Sequence, residues 1–197
     1  MATEIINERL LYPAYEIIGG EKILAPAPTL DHSDAVFKLA YAIGGYLMEH
    51  KSGYVYTDNV DVHFSDGSLF KPDLCVVLKS NEQILVNRKA IHGAPDMVVE
   101  VLSYSTRKKD LTVKKDIYEA NGVREYWIVD PWAKSVTVYL LRDGKYFLDD
   151  IYSLVDEKEF ETLDDEDKAA VKNEIPVSIV DGLTIPLKFV LDRKSVV

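Results

Sequence analysis

The sequence predicts an α/β fold in which a mixed β-sheet is flanked by helices, and three patterns support this prediction. Apolar residues recur at helical spacing between Val36 and Leu47. Residues 60–64 alternate between apolar and polar side chains, which is typical of a half-buried strand. Residues 97–102 are almost continuously apolar, as in central strands that are covered on both faces. Helices and strands in this order favour a mixed sheet with a helix on each side.

The first quarter of the chain predicts irregular structure followed by a long helix. Prolines and glycines interrupt the chain up to Pro28, so residues 1–28 are predicted to be an irregular N-terminal extension. The helix that follows should be capped by Asp31 or Ser33 and should end near His50.

The middle of the chain predicts antiparallel strands, then a second helix. Asp66-Gly67 is a hairpin turn signal between residues 60–64 and a longer strand over residues 69–78, which has Pro72 near its start. The second helix is predicted over residues 109–121, with Ser105 or Thr106 as its cap and Gly122 as its C-terminal stop. Its apolar face should include Leu111, Val113 and Tyr118, among others.

The rest of the chain predicts further strands. Residues 125–129 read as a buried strand, residues 135–141 as its hairpin partner, and residues 175–191 as a short strand with a last helical turn. The whole chain, residues 1–197, is predicted to be a single domain with its core in residues 29–141, while residues 142–197 supply C-terminal strands and an acidic segment.

The composition is that of a globular protein, with 47% apolar and 28% charged residues among 197. No apolar run approaches the roughly 20 residues of a membrane helix, and the N-terminal residues do not resemble a secretory signal. The only cysteine, Cys75, excludes an internal disulfide and a cysteine-rich zinc site. A cytoplasmic protein with no membrane partner is therefore expected.

The net charge of -10 argues against binding nucleic acid by bulk charge alone, but the charge is unevenly distributed. Residues 156–168 contain eight acidic residues and two lysines, hence -6, which leaves -4 for the rest of the chain. A second segment is basic and contains Arg107, Lys108, Lys109, Lys114 and Lys115. A local basic face is therefore compatible with the acidic total, although a solvated surface explains both runs as well.

Two carboxylates have unusual surroundings in the sequence. Asp73 follows Pro72 directly before an apolar strand, and Glu100 lies inside the most apolar strand of the chain. A buried carboxylate needs a partner or a metal. If the two strands are neighbours, both acids converge on one site that suits Mg²⁺. The alternative for each acid is an ordinary charged residue at a strand end or a salt bridge to a helix lysine.

These residues resemble the Uma family, a bacterial group of predicted nucleases in the PD-(D/E)XK, restriction-endonuclease-like superfamily. The resemblance rests on residues 71–74 (Lys-Pro-Asp-Leu), on residues 93–106 around Glu100, and on Asp110, Lys114 and Tyr118 at steps of four. It continues through residues 122–130 and covers roughly residues 25–141. The resemblance implies a restriction-endonuclease-like mixed sheet flanked by helices.

The resemblance also implies roles for individual residues. Asp73 and Glu100 would hold a divalent metal, usually Mg²⁺, with Mn²⁺ as a substitute. The superfamily lysine is expected two residues after Glu100, but this chain has Leu102 there. In several branches the lysine comes from the following helix instead, and Lys114 fits that relocation. The alternative for Lys114 is a surface pair with Asp110 at i,i+4.

Five further residues are candidates for substrate binding. They are His32, Ser103, Ser105, Arg107 and Lys115. His32 could contact a phosphate or could lie at a helix cap or core edge, and Ser105 could equally cap the second helix. Tyr118, Tyr126 and Trp127 are interpreted mainly as packing residues. No additional acid on the first helix is well placed, since Asp34 and Glu49 lie near its ends.

The predicted function is a Mg²⁺-dependent endonuclease that hydrolyses DNA, acting as a homodimer. A catalytically inactive nucleic-acid- or protein-binding module on the same fold is the alternative, because Lys is missing at position 102 and the net charge is negative. A metal-dependent phosphodiesterase for a small substrate is the third hypothesis.

Overall fold

The computed structural model describes residues 15–24, 27–57, 60–103 and 107–192. The strands are β1 Tyr15–Ile18, β2 Glu21–Leu24, β3 Gly53–Thr57, β4 Val62–His63, β5 Leu69–Phe70, β6 Leu74–Leu78, β7 Leu85–Val86, β8 Ala90–His92, β9 Met97–Val101, β10 Glu125–Asp130, β11 Ser135–Arg142, β12 Lys145–Ser153, β13 Glu174–Pro176 and β14 Thr184–Pro186. The helices are α1 Leu30–His50, α2 at residues 107–121, α3 Glu157–Thr162, α4 Asp165–Ala170 and α5 Leu187–Leu191, and a 3₁₀ turn spans Lys79–Ile84.

A six-stranded mixed sheet, in the order β12-β11-β10-β9-β6-β3, forms the centre of the fold. Its two middle strands, β9 and β10, run parallel, and every other neighbouring pair in this sheet is antiparallel. Both middle strands are buried along their whole length, because layers cover both faces of the sheet. The predicted mixed α/β fold is confirmed, and so are the buried strand near residues 97–102 and the hairpin of β10 with β11.

Helix α1 covers one face of this sheet. Leu39, Ile43 and Leu47 on α1 are fully buried against a core that includes Val99 of β9. The short hairpin β13–β14 and helix α5 complete the same layer. The predicted position of the helix is confirmed, but the predicted caps are wrong: the Thr29 side chain accepts the hydrogen bond from the His32 backbone N–H at 3.3 Å.

A second six-stranded sheet, in the order β2-β1-β5-β4-β8-β7, covers the other face together with α2. The sequence did not predict this sheet. Residues 15–24 form the hairpin β1–β2, where irregular chain was expected. The strand expected over residues 69–78 is also wrong, because it divides at Pro72 into β5 and β6, which belong to different sheets. Proline lacks the N–H that a continuous central strand needs.

Helix α2 contains a turn of π-helix. Its first turn, Arg107–Lys109, leads into the π turn Asp110–Lys114, and Lys115–Asn121 is α-helical. The expected apolar face is wrong in part: Leu111 and Val113 are exposed, whereas Asp110 and Lys114 are buried. Asp110 and Lys114 are four residues apart, so both lie on the face of α2 that packs on the core. The predicted stop is confirmed, since Gly122 ends α2 with φ 87°.

The acidic segment forms α3 and α4, whose residues are exposed or half-buried, as a solvated stretch should be. The tail supplies β13, β14 and α5, in agreement with the predicted short strand and last helical turn. Within the described ranges, none of the helices combines the length and the apolar character needed to cross a membrane.

Candidate active site

Asp73 and Glu100 lie on neighbouring strands of the main sheet. Strands β6 and β9 are antiparallel, with Leu74 opposite Val99, so the register continued by one residue places Asp73 opposite Glu100. Opposite residues of an antiparallel pair project to the same face. That face is the one covered by α2 and the second sheet. The expectation that the two acid-bearing strands are neighbours is therefore confirmed.

Lys114 projects from the π turn of α2 into the same region. Its Nζ lies 3.0 Å from Glu100 Oε1, 2.8 Å from Glu16 Oε1 and 3.4 Å from Asp110 Oδ1. The interpretation of Asp110 and Lys114 as a surface pair is wrong, because their side chains are only 2% and 4% exposed. Leu102, at the position where the superfamily lysine was expected, is a buried core residue. Leu102 cannot supply a cation, and the ammonium group next to Glu100 comes from Lys114 instead.

Hydrogen bonds hold both candidate metal ligands in place. The Tyr118 hydroxyl donates to Glu100 Oε1 at 2.6 Å. The backbone N–H of Val101 donates to Asp73 Oδ2 at 2.7 Å, and His32 Nε2 lies 3.0 Å from the same oxygen. Both carboxylates therefore have fixed orientations before any ligand binds.

Burial and neighbouring charges shift the pKa of three groups at the site. Burial raises the pKa of the Glu100 carboxyl, Lys114 opposes this effect, and the charges of Asp110, Asp73 and Glu16 add to it. Burial by itself would lower the pKa of Lys114. The negative charges of Glu100, Glu16 and Asp110 outweigh this effect and raise the pKa, so the amine stays protonated. Burial and then the charge of Glu100 raise the pKa of Tyr118, so the phenol remains a donor.

Two residues of the site were not identified from the sequence. Glu16 comes from β1, in a segment that was expected to be irregular, and its Oε1 lies 2.8 Å from Lys114 Nζ. Nothing in the local sequence indicates its role. Tyr118 was interpreted as packing, although it donates to Glu100. Its spacing of four residues from Lys114 placed it on the same side of α2, which is the signal that could have identified it.

The structure brings only part of the predicted substrate-binding set to the carboxylates. His32 contacts Asp73, and Ser103 is half-buried directly after β9. Arg107 pairs with Asp130 at 3.0 Å, and Lys115 Nζ lies 5.0 Å from the centre of the Tyr139 ring. Ser105 and Thr106, the two predicted caps of α2, lie outside the described residues.

The residues present suit a divalent cation. Three carboxylates, from Glu16, Glu100 and Asp110, contact one ammonium group, and the charge of Asp73 also acts on Glu100, so the cluster is short of positive charge. Within the described residues, the hydrogen bonds of Glu100 all use Oε1 and those of Asp73 all use Oδ2, which leaves Oε2 and Oδ1 for other ligands. In the same part of the chain, no group of three or more His, Cys, Asp or Glu residues is arranged to hold a metal. Mg²⁺ needs only one or two carboxylates together with water and substrate oxygens.

A comparison with known families gives the class of this protein. The family Uma2, described as "Putative restriction endonuclease", matches residues 8–171. This match spans more than half of the chain, and the chain therefore belongs to the Uma2 family. The resemblance described above is confirmed. A comparison with curated proteins finds no match.

Solved structures support the fold. A protein from Anabaena variabilis ATCC 29413, described as a putative nuclease belonging to DUF820, matches with a TM-score of 0.69 at 20% identity, over 94% of this chain and 96% of that one. At this identity the similarity shows the fold, which is the predicted restriction-endonuclease-like fold. The type IIG restriction endonuclease BpuSI matches with a TM-score of 0.36 at 11% identity, over 62% of this chain and 13% of that one.

Proposed function

We propose that this chain is a Mg²⁺-dependent endonuclease that hydrolyses DNA phosphodiester bonds. Family membership supports a nuclease-like function. The observation that carries the finer proposal is the contact of Lys114 with Glu100, 3.0 Å apart and beside Asp73. This arrangement supplies two carboxylates for a metal and one cation, which are the groups that phosphodiester hydrolysis requires.

Asp73 and Glu100 would hold the metal, and Mn²⁺ could replace Mg²⁺ there. When bound, the metal lowers the pKa of a water molecule and stabilises charge on a phosphoryl oxygen. The Lys114 ammonium stays protonated and can orient the attacking water and offset the negative charge that develops on the phosphate. Tyr118 and the backbone N–H of Val101 position the two carboxylates.

The hydrolysis does not need a covalent intermediate. Cys75 is close in sequence to Asp73, but it is buried, and burial followed by the charge of Glu100 raises the pKa of its thiol to about 12. A thiol of this kind is a poor nucleophile at neutral pH. Water attack is therefore the proposed route.

The test compares two buried glutamates of the same sheet. Glu100→Gln and Glu100→Ala should lose both Mg²⁺ binding in calorimetry and Mg²⁺-dependent nicking of supercoiled plasmid at low salt. Glu125→Gln is the matched control, because Glu125 is equally buried but contacts Trp127 and Ile179 on the opposite face. Nicking that persists in both Glu100 variants would refute the assignment of the site.

One observation favours the inactive binding module as a second candidate. In the structure Lys114 is fully engaged by three carboxylates, and Arg107 of the basic cluster is paired with Asp130. A wild-type protein that binds no metal in calorimetry would establish this alternative. Metal binding without nicking would point instead to a small phosphodiester substrate.

We further propose that the chain acts as a homodimer. Each chain has one candidate centre within its described part, and cleavage of both strands of a duplex needs two. Helix α1 presents Leu30, Phe37, Tyr41 and Met48 to solvent, with exposures of 86, 70, 68 and 74%, at spacings of seven, four and seven residues. A second copy of this helix would cover the stripe by a two-fold contact. Light scattering should give twice the chain mass for wild type and the chain mass for Tyr41→Glu.

The cytoplasm, where a bacterial nuclease meets DNA, stays the proposed location.

A further inference from the structure

A cleft of about 410 Å³ lies between the edge strand β3 and the hairpin β7–β8. Two tyrosines, several aliphatic side chains, one acid and two cations line it, and they include Tyr54, Tyr56, Leu85, Ile91, Arg88 and Lys89. We call it the tyrosine cleft. Its volume falls in the range of small-molecule and cofactor pockets.

The two tyrosines form an aromatic wall. Tyr54 and Tyr56 alternate along β3, so their side chains project to the same face of the sheet, and their ring centres are 6.3 Å apart with an angle of 25° between the planes. Tyr54 is 37% exposed and so presents part of its ring to solvent. Exposed aromatic rings of this kind stack with nucleobases without regard to base identity.

The two cations lie at the tip of the hairpin. Asn87 and Arg88 have φ values of 50° and 56°, so a tight turn projects Arg88 and Lys89 from the hairpin. Both side chains are exposed, and neither forms an ion pair with another described residue. They are therefore available for an anion. Arg88 and Tyr56 line the same cleft, and the charge of Arg88 lowers the pKa of Tyr56 against the larger effect of burial, which raises it.

One acid also lines the cleft, but its charge is compensated. Glu82 pairs with Lys79 and accepts a hydrogen bond from the Tyr54 hydroxyl at 3.2 Å. With Glu82 neutralised in this way, Arg88 and Lys89 leave the cleft with a net positive charge. This local charge contrasts with the net charge of -10 of the whole chain.

The tyrosine cleft opens on the same face of the sheet as the candidate active site. Tyr56 is opposite Cys75 on β6, and Asp73 lies two residues before Cys75. Diagonal neighbours of this kind are about 7–8 Å apart between Cα atoms. Tyr54 is opposite Val77, two residues further along β6, which adds about 7 Å. A DNA strand in a duplex advances about 3.4 Å per nucleotide, so the distance from Asp73 corresponds to roughly two nucleotides for Tyr56 and roughly four for Tyr54.

We propose that the tyrosine cleft binds an unpaired nucleobase of a DNA strand whose phosphates contact Arg88 and Lys89, adjacent to the phosphodiester held at Asp73 and Glu100. This inference rests on the proposed nuclease function and specifies its substrate. The preferred substrate is DNA with unpaired bases near the cleavage site, such as single-stranded ends or junctions. A paired base in a regular duplex is stacked on both sides and cannot lie against Tyr54.

The test measures binding without cleavage. Fluorescence anisotropy of a labelled single-stranded DNA 12-mer is recorded in EDTA for wild type, Tyr54→Ala, Tyr54→Phe and Arg88→Gln. Tyr54→Ala should weaken binding by roughly 5- to 140-fold, because stacking contributes about 1–3 kcal/mol per base and 1.4 kcal/mol corresponds to a factor of ten. Tyr54→Phe keeps the ring and should bind as wild type does. Arg88→Gln should weaken binding and reduce the slope of log K against log salt by about 0.7.

Two controls make the test specific. Phe160→Ala removes an exposed aromatic ring of α3, in the acidic segment and outside the tyrosine cleft, and should leave affinity unchanged. A 12-mer that carries abasic sites should bind wild type and Tyr54→Ala with equal affinity, because it has no base to stack. A loss of affinity for this abasic strand in Tyr54→Ala, as large as for the normal strand, would overturn the inference.

The outcome separates this inference from the proposed function. Normal binding by Tyr54→Ala, together with plasmid nicking that depends on Glu100, would overturn the tyrosine cleft and leave the nuclease intact. Weakened binding by Tyr54→Ala in a protein that nicks no DNA would support the cleft and refute the nuclease. Free dAMP that binds as tightly as the 12-mer would overturn the assignment to a DNA strand.

Discussion

Replacement of Lys114 by Met removes the only ammonium group that contacts Glu16, Glu100 and Asp110 in the described part of the chain, while it keeps most of the side-chain volume. Three buried acids then lose their counter-charge. Removal of one partner from a buried ion pair typically destabilises a protein by about 3–5 kcal/mol. For a chain of this length, each kcal/mol lowers the melting temperature by about 2–4 °C, so a decrease of roughly 6–20 °C is expected at pH 8.

The loss should depend on pH in a defined direction. The pKa of Glu100 is raised in the folded protein, so folding costs more for the charged carboxylate than for the neutral acid, and the stability from this group is present below pH about 4.5 and is lost as pH rises. Without Lys114 the folded pKa of Glu100 rises further. The difference between wild type and Lys114→Met should therefore be small, on the order of 1 kcal/mol, at pH 4.5 and should grow towards pH 8. Lys114 itself does not titrate in this range, because its pKa is raised.

The assay is urea unfolding in EDTA, followed by tryptophan fluorescence at four pH values between 4.5 and 8. Lys115→Met is the matched control, because the adjacent lysine contacts the Tyr139 ring and no described carboxylate. Lys115→Met should change the free energy of unfolding by no more than about 0.5 kcal/mol at every pH. If Lys114→Met loses the same free energy of unfolding at pH 4.5 and at pH 8, the loss comes from packing and not from charge.

Three further substitutions test individual contacts. Tyr118→Phe removes the donor to Glu100 and should lower the free energy of unfolding by about 1.5–3 kcal/mol and weaken Mg²⁺ binding, whereas a purely packing role would leave calorimetric Mg²⁺ affinity unchanged. Burial raises the pKa of Glu125, so the stability that this carboxyl contributes is present below pH about 4.5 and is lost as pH rises. Glu125→Gln should therefore be less stable than wild type by roughly 1 kcal/mol at pH 4. Urea titrations should show that this difference in unfolding free energy disappears by pH 8. Asp96→Ala should lower stability by about 1–3 kcal/mol, because it leaves the Leu78 N–H without its acceptor, and it should leave Mg²⁺ affinity unaltered; a change in affinity would place Asp96 in the site.

The positions of Asp73 and Glu100 could be predicted because Asp73 directly precedes an apolar strand and Glu100 interrupts one, and the cost of burying a carboxylate makes such residues conspicuous. Their convergence needed one further fact, the pairing of β6 with β9. Glu16 could not be predicted in this way. It lies in a short hairpin with half-buried neighbours, and only the long-range pairing of β1 with β5 carries it to Lys114.

Helix α2 shows why the apolar residues alone gave a wrong face. Residues two positions apart lie on different sides of a helix, so Leu111 and Val113 do not share one face, and both are exposed. Asp110, Lys114 and Tyr118 recur at steps of four, and these are residues that α2 buries. The helix has a π turn at Asp110–Lys114, and turns of this kind are rare and occur often at functional sites. The spacing of the buried face was therefore present in the sequence, but its polar residues were not recognised as facing the core.

Two buried glutamates of the main sheet show how the same residue type serves different purposes. Glu125 accepts hydrogen bonds from the neutral Trp127 indole and the Ile179 backbone N–H, at 2.7 and 3.0 Å, so both of its oxygens are satisfied without another charge. Glu100 instead uses one oxygen for Lys114 and Tyr118 and lies among three further acids. Neutral donors that satisfy both oxygens hold Glu125 as part of the fold. A carboxylate with one oxygen still available and three further acids around it favours a cation nearby, and this difference supports the proposal of Glu100 rather than Glu125 as a metal ligand.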